Sequence, residues 1–487
     1  MPRRQIRVTG AAAAPLRDAL RALRTELGAP EAFPPEVLAE AERAARAPRL
    51  PAYDATGVPL FTIDPPGSAD LDQAMHLSRR PGGFRVRYAI ADVAAFVAPG
   101  SALDAEAHRR VTTLYFPDGR IPLHPPVLGE GAASLLPDQV GPAVLWTIDL
   151  DAEGRPTATD VRRALVRSRA RLDYEGAQRR IDDGTAEEPL ALLREIGLLR
   201  EQREVERGGI SLGVPEQEIV ENGAAGGGPG SYALSYRAPL PADGWNAQIS
   251  LLTGMAAAEL MLALGTGVLR TLPAAPDGAV GRLRHTAKAL RIDWPHHVSY
   301  ALLIRSLDPE QPRHAAFLQE CTTLLRGAGY TVFRDGVLPA ITTHAAVAAP
   351  YTHCTAPLRR LVDRYAAELC LAASAGTAPP EWALAALDEL PRRMAEGTRR
   401  AGAVERGCVD LVEAALLERR VGELFDATVV DVRDREPTVG TVQLESPAVV
   451  ARIEGGGPLP LGERLRVRLT RADRGGPGTA KVLFAPA

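Results

Sequence analysis

Residues 61–77 read FTIDPPGSADLDQAMHL: an apolar run stops at Asp64, a Pro-Pro-Gly turn follows, and Asp70 and Asp72 arrive two residues apart before apolar residues resume. The pattern is strand, turn, strand, and it sets the expectation of a sheet built around this stretch. A Pro-Gly turn fixes the backbone locally. Three carboxylates held there can converge on one point, which like charges avoid unless a cation stands between them. Their hard oxygens suit Mg²⁺ or Mn²⁺ better than zinc. A calcium loop or a solvated acidic turn uses the same residue types, so this stretch alone leaves the chemistry open.

On either side, short alternating runs such as FRVRYAIADVAAFV (84–97) and AVLWTIDLDAEGRP (143–156) are bounded by Gly, Pro and Asp, as strands joined by turns are. After about residue 170, apolar residues recur at three and four, in LDYEGAQRRIDDG (172–184) and EEPLALLREIGLLREQREVERGG (187–209). The expected fold class is α+β, a mixed sheet surrounded by helices. Residues 1–50, with PPEVLAEAERAARA at 34–47, suggest a small helical segment, either a brace or a winged-helix-like appendage. NGAAGGGPG at 222–230 reads as a surface loop by composition. From FDATVVDVRD (425–434) onward the strand pattern returns, and residues 423–487 are expected to form a β-unit the size of an OB barrel.

A chain of 487 residues is too long for one ordinary core, so residues 51–422 are read as a large central domain between the two smaller pieces. The most apolar run, LLTGMAAAELMLALGTGVL at 251–269, contains Glu259 and three internal glycines and is read as a buried helix, so no membrane association is expected. MPRRQIRVTG at the start lacks the apolar stretch of a signal peptide. Four scattered cysteines without a Cys-x-x-Cys pair argue against a disulfide framework or a structural zinc site and fit a reducing cytoplasm. The net charge of −3 does not announce a nucleic-acid binder, although nearly all basic residues are arginine, Lys288 and Lys481 being the lysines present.

Two further stretches carry residues suited to phosphate chemistry. In YTHCTAPLRRLVDRY (351–365) a proline precedes a helix whose first turn is expected to carry Arg359 and Arg360, and a helix start with arginines attracts phosphate. An ordinary amphipathic helix start has the same form. In RVTTLYFPDGRIPLHPP (110–126) Tyr115 ends a strand ahead of a Pro-Asp-Gly turn, where an aromatic ring can stack on a base or cap a core. Arg167, Arg169 and Arg171 alternate along VRRALVRSRARL (161–172), sharing one strand face.

In this order the stretches TIDPPGSADLDQAM, YAIADVAAFVAPGSALDAEAHRRVTTLYFPDGRIPLHPP, RLDYEGAQRRI and YTHCTAPLRRLVDRY resemble the catalytic domain of the RNase II (RNB) family of exoribonucleases, over roughly residues 50–422. The β-rich tail stands where family members carry an S1 domain of the OB type. The resemblance implies metal-dependent hydrolysis of single-stranded RNA from its 3′ end to nucleoside 5′-monophosphates, by an enzyme expected to act as a monomer. It further implies Mg²⁺, with Mn²⁺ as the alternative, at Asp64, Asp70 and Asp72, Asp72 being the essential carboxylate, and Arg359 acting on the phosphate. Tyr115 would orient the terminal nucleotide and Glu405, in AGAVERGCVDL, would position the leaving nucleotide. Arg360, Thr355, Arg167 and Arg169 are candidate RNA contacts.

The chain departs from the family pattern at several positions. Gln73 replaces a fourth aspartate and is assigned to the metal site through a water, without adding charge. Ala356 replaces a serine after Thr355, and Leu252-Thr253 replaces a glutamate pair expected among the RNA contacts. Fifty residues at the front cannot encode the two cold-shock domains common in the family. The alternative is therefore an RNB-type RNA-binding protein with weak or absent catalysis.

Overall fold

The computed structural model describes residues 14–212, 216–221, 232–237, 239–275, 278–308, 311–325, 327–433, 435–444, 446–473 and 482–487. The 222–230 loop and the first thirteen residues lie outside the described residues.

Five strands form the central barrel: β1 (Leu60–Ile63), β2 (Gln73–Arg80), β3 (Gly83–Ala91), β6 (Val140–Asp151) and β7 (Pro156–Leu172), with β4 (Leu114–Phe116) and β5 (Gly119–Ile121) forming a separate hairpin. Neighbours pair antiparallel in the order β1-β2-β3-β6-β7, and a parallel β1–β7 pair closes the ring, with Phe61 opposite Ala170 and Ile63 opposite Leu172. The expected mixed sheet is thus present and has no free edge. Strand period 2 divides the buried side chains. Tyr88 and Ile90 of β3 join one cluster with Met75 and Trp146. Ala89 and Ala91 join another with Leu71, Leu145 and Leu358.

Helices pack around this barrel. Helix α1 (Ala14–Glu26) puts Leu16 and Leu20 into a core shared with Leu114, Phe116, Cys408 and Phe425. Helix α2 (Pro35–Arg46) puts Val37 and Ala41 into the barrel cluster with Leu60 and Leu71. The described part of residues 1–50 is therefore two helices built into other cores. Helices α3 (Ala102–Arg110), α4 (Tyr174–Asp182), α5 (Glu188–Glu206) and α6 (Pro241–Leu264) follow.

Helix α6 is long and apolar enough to cross a membrane, yet it is a core element: Trp245, Ile249, Leu252, Thr253 and Met261 are buried. It ends at Gly265 in the left-handed conformation (φ 72°), and the strand Gly267–Thr271 follows, so the apolar run at 251–269 is helix and then strand. Leu252 and Thr253, which stand where the family pattern has a glutamate pair, are fully buried in this helix.

A second closed five-stranded barrel is formed by Leu424–Arg433, Glu436–Leu444, Val450–Glu454, Arg464–Ala472 and Val482–Pro486. The fold is α+β, with an OB-type barrel at the C-terminal end.

Candidate active site

Asp72 is the last residue before β2, and its main-chain carbonyl already pairs with the Ala91 N–H of β3 (2.9 Å). The loop leading to it is tied down by Ser134, whose hydroxyl accepts from the Leu71 N–H (2.9 Å) and donates to the Ala69 carbonyl (2.7 Å). With its backbone fixed twice, Asp72 sends its carboxylate inward, where it is 4% exposed. There Oδ1 accepts the Leu358 N–H at 2.8 Å and Oδ2 faces Arg359 Nε at 3.5 Å. Burial holds the carboxyl well above its usual range, and Arg359 and the Leu358 amide oppose the rise.

The arginine segment reaches this point because α6 lets it approach. A Cβ on Gly254 would lie 2.3 Å from Tyr351 Cε2 and 2.6 Å from the Thr352 carbonyl, so only glycine permits the contact. Beyond it, Asp363 closes residues 356–363 on themselves, accepting the Ala356 N–H (2.6 Å) and both arms of Arg360 (2.7 Å each).

Arg360 is consequently an interior residue, 8% exposed, and not the phosphate contact expected of it. The helix begins only at Leu361, so both arginines precede its first turn. Arg360 is extended (φ −143°, ψ 121°), and successive side chains of extended backbone point to opposite sides. Arg359 therefore meets Asp72 while Arg360 meets Asp363. Thr355 is likewise buried, its hydroxyl 2.9 Å from Ser250 Oγ, and is not an RNA contact.

Gln73 also differs from its expected role. Its amide Nε2 donates to the Thr355 carbonyl (2.5 Å) and its Oε1 accepts from Tyr88 Oη (2.8 Å). Gln73 thus ties the arginine segment to β3, and its amide is engaged with protein partners in place of a metal-borne water.

Asp64 extends the β1–β7 pairing, its N–H donating to the Leu172 carbonyl (3.1 Å). Burial pushes its carboxyl up to about 7, the Asp70 charge adds to the rise, and Arg359 and Arg171 oppose it. Asp70 forms an ion pair with Arg120, whose Nε and Nη2 lie 3.0 and 2.9 Å from Glu130 Oε1. Arg120 escaped the sequence reading. The signal was the two-residue turn at Pro117-Asp118, which sets position 120 opposite Tyr115 in the β4–β5 register.

Tyr115 is 40% exposed on this hairpin. Its strand is joined to the arginine segment because the Arg359 carbonyl accepts the Thr113 N–H (3.1 Å) and the Thr112 hydroxyl (2.9 Å). Glu405 lies on the helix Leu390–Leu417, whose Val404 and Cys408 pack in the same core as Leu114 and Phe116. Gly397 of that helix crowds Val111, a branched residue held at φ 68°, a backbone region such side chains rarely adopt. Arg169 is exposed and donates to the Thr56 carbonyl (2.8 Å), and Arg167 is half-buried beside it on β7. His124 and His344 are buried and pushed down to about 4 by burial, so neither ring is protonated near neutral pH.

No three His, Cys, Asp or Glu side chains among the described residues stand grouped as a ready metal cage. The donor set nevertheless fits a hard divalent cation: three carboxylates, two of which, Asp64 and Asp72, are penalised by burial and raised further by the Asp70 charge, with arginines supplying countercharge.

The RNB domain family matches residues 53–374, and the RNase II-type exonuclease C-terminal S1 domain matches residues 423–487. The exosome complex exonuclease RRP44 homolog A of Arabidopsis thaliana is 31% identical over 332 residues, 65% of this chain and 35% of that protein. The chain spans about a third of the length of the first curated relatives it matches. Among solved structures, Mycoplasma genitalium RNase R in complex with ribose-methylated single-stranded RNA superposes with a TM-score of 0.83 at 19% identity, covering 97% of this chain and 78% of that one. Yeast Ssd1, described as a pseudonuclease, superposes with a TM-score of 0.69 at 15% identity, covering 94% of this chain and 58% of that one. With the family match spanning most of the chain and both barrels in place, the chain belongs to the RNB family and carries the RNase II-type S1 domain at residues 423–487.

Proposed function

We propose that the chain is a hydrolytic 3′-to-5′ exoribonuclease that degrades single-stranded RNA to nucleoside 5′-monophosphates, using Mg²⁺ or Mn²⁺, as a monomer in the cytoplasm. One observation carries the reading: Asp72 and Arg359 meet across 286 residues of chain, on a backbone amide that fixes the carboxylate's direction. In this reading residues 51–422 form the catalytic unit and 423–487 an RNA-binding unit. Four buried free cysteines favour a reducing compartment.

Asp64, Asp70 and Asp72 would hold the cation, which when bound supplies Lewis-acid stabilisation of the charge developing on the phosphate. Water attacks the last phosphodiester, the bond to the 3′ oxygen of the preceding nucleotide breaks, and the proton passes to that oxygen or to solvent. Arg359 is part-exposed, and its guanidinium can turn from Asp72 toward the phosphate as negative charge gathers there. Tyr115 stacks on the terminal base, Glu405 positions the leaving nucleotide, and Arg169 with Arg167 steers the strand along β7.

The test is incubation of 5′-end-labelled single-stranded RNA with Mg²⁺ or Mn²⁺. Progressive shortening by the wild-type chain and a loss of about 10³-fold in Asp72→Asn is the expected result. Equal degradation by both, or none by either, sinks the assignment.

A second reading, an RNB-type RNA-binding protein without activity, is favoured by Gln73 and by the likeness to a pseudonuclease fold. It requires an inert native chain that gains activity in Gln73→Asp.

A further inference from the structure

We infer that Arg120 is a built-in competitor for the cation: without metal its guanidinium occupies the Asp70 carboxylate, and metal binding releases that arm to the RNA phosphate. The inference rests on the proposed use of Asp70 as a metal ligand and assigns a positioning role to a residue outside the expected site.

The geometry divides the guanidinium into two edges. Nε and Nη2 face Glu130 Oε1 at 3.0 and 2.9 Å, while Nη1 alone meets Asp70. Glu130 therefore acts as the hinge and Nη1 as the movable arm. Arg120 thus occupies one of the three carboxylates to which the proposed cation is assigned, while its other edge stays on Glu130. A guanidinium keeps its proton at any pH the protein meets, so Arg120 competes as a permanent single positive charge. A divalent cation on Asp70 repels it.

The released arm points where it is useful. Arg120 stands opposite Tyr115 in the two-stranded register, and its side chain is about a quarter exposed. With Nε and Nη2 still held by Glu130, Nη1 becomes an oriented donor next to the ring on which the terminal nucleotide would stack. Metal and RNA then favour each other by reciprocal linkage: the cation frees the donor RNA needs, and RNA holds the arm away from the cation's ligand.

The experiment measures Mn²⁺ affinity by electron paramagnetic resonance, with and without a ribose-methylated single strand, for the full-length wild type, Asp70→Asn, Arg120→Gln and the double variant Arg120→Gln/Glu130→Gln. The double variant carries the same net charge as wild type, so it separates loss of the Asp70 contact from a change in the overall field. In the absence of RNA both Arg120 variants should bind Mn²⁺ about fivefold more tightly than wild type, the equivalent of a partly exposed ion pair. The strengthening of Mn²⁺ binding by RNA seen in wild type should shrink in both. Thermal melting by circular dichroism establishes that the variants are folded, and the double variant leaves no orphaned Glu130 charge if the single one is unstable.

Equal or weaker Mn²⁺ binding in the folded double variant overturns the inference while leaving the proposed activity standing. If wild type and Asp70→Asn bind Mn²⁺ alike, the assignment of Asp70 to the metal falls, and the competitor role falls with it.

Discussion

Two closed five-stranded barrels stand in one chain, and each contains a single parallel strand pair, β1 with β7 in the first and Val450–Glu454 with Val482–Pro486 in the second. Their interiors differ. In the second, Val429, Val442, Ile453, Val467, Leu469 and Phe484 fill the core, and Thr428 is the only buried polar side chain among its described residues. Its charges lie outside, with Arg464, Arg466, Arg468 and Arg471 exposed along one strand. The first barrel buries Asp72, Asp92 and Asp149 and answers each with an arginine: Arg359, Arg163 and Arg85. A buried carboxylate is costly unless paired. Barrel closure is common to both, whereas paired buried charge belongs to the first, where the proposed reaction is placed.

The division can be broken most sharply at Arg359. Arg359→Ala should lower the rate at saturating RNA by about 10²–10³-fold, as loss of a donor to a developing negative charge does, and single-turnover hydrolysis measures it. Little change would place catalysis elsewhere.

Next in size is Gln73→Asp. A shorter, charged side chain cannot donate to the Thr355 carbonyl and would leave Tyr88 Oη a changed partner. Denaturant unfolding should show a loss of about 1–3 kcal/mol, with no gain of nuclease activity. A gain would favour the silent-protein reading.

In the second barrel, the exposed pair Arg466→Gln/Arg471→Gln should leave stability nearly unchanged and weaken single-strand RNA binding several-fold. If each arginine meets one phosphate, the salt slope should become shallower by about 1.4. An unaltered slope would remove this face from the RNA path.

The smallest effect is a pH dependence. Asp64 is raised to about 7 in the fold from an ordinary 3.8. Below 3.8 it is protonated folded and unfolded, so burial costs nothing; above about 7 it is charged in both, and the full penalty applies. The metal-free chain should therefore lose stability as pH rises through this window. In Asp64→Asn that limb should be missing, a difference on the order of 2 °C in melting temperature. Matching profiles would contradict the buried-carboxylate account.

Alternating strands, the helical middle and the small β-tail were legible because period 2 and period 3.6 are local. Closure was not: the β1–β7 pair joins residues about a hundred positions apart, and nothing local to Phe61 names Ala170 as its partner. Asp64, Asp70, Asp72 and Arg359 were legible as residue types in a pattern that resembles a family. Arg360 was misread because adjacency in sequence was taken as adjacency in space, where an extended backbone turns neighbours to opposite sides. Arg120 was missed since its meaning depends on a hairpin register and on a carboxylate fifty positions away.

Helix α1 reaches the hairpin that carries Tyr115 and Arg120: Arg24 lies over the Phe116 ring (4.3 Å from its centroid) and donates to Asp118 at the turn (3.1 and 2.5 Å). For anyone transplanting this nuclease-like barrel into another protein, the portable unit is therefore not the span of the family match. A graft that began at residue 53 would bring the acids and leave the hairpin without its outer wall, exposing Phe116 and freeing Asp118. The smallest cassette that keeps this core whole adds α1, the β4–β5 hairpin, the helix Leu390–Leu417 and the C-terminal barrel, whose Phe425 and Phe484 belong to the same cluster.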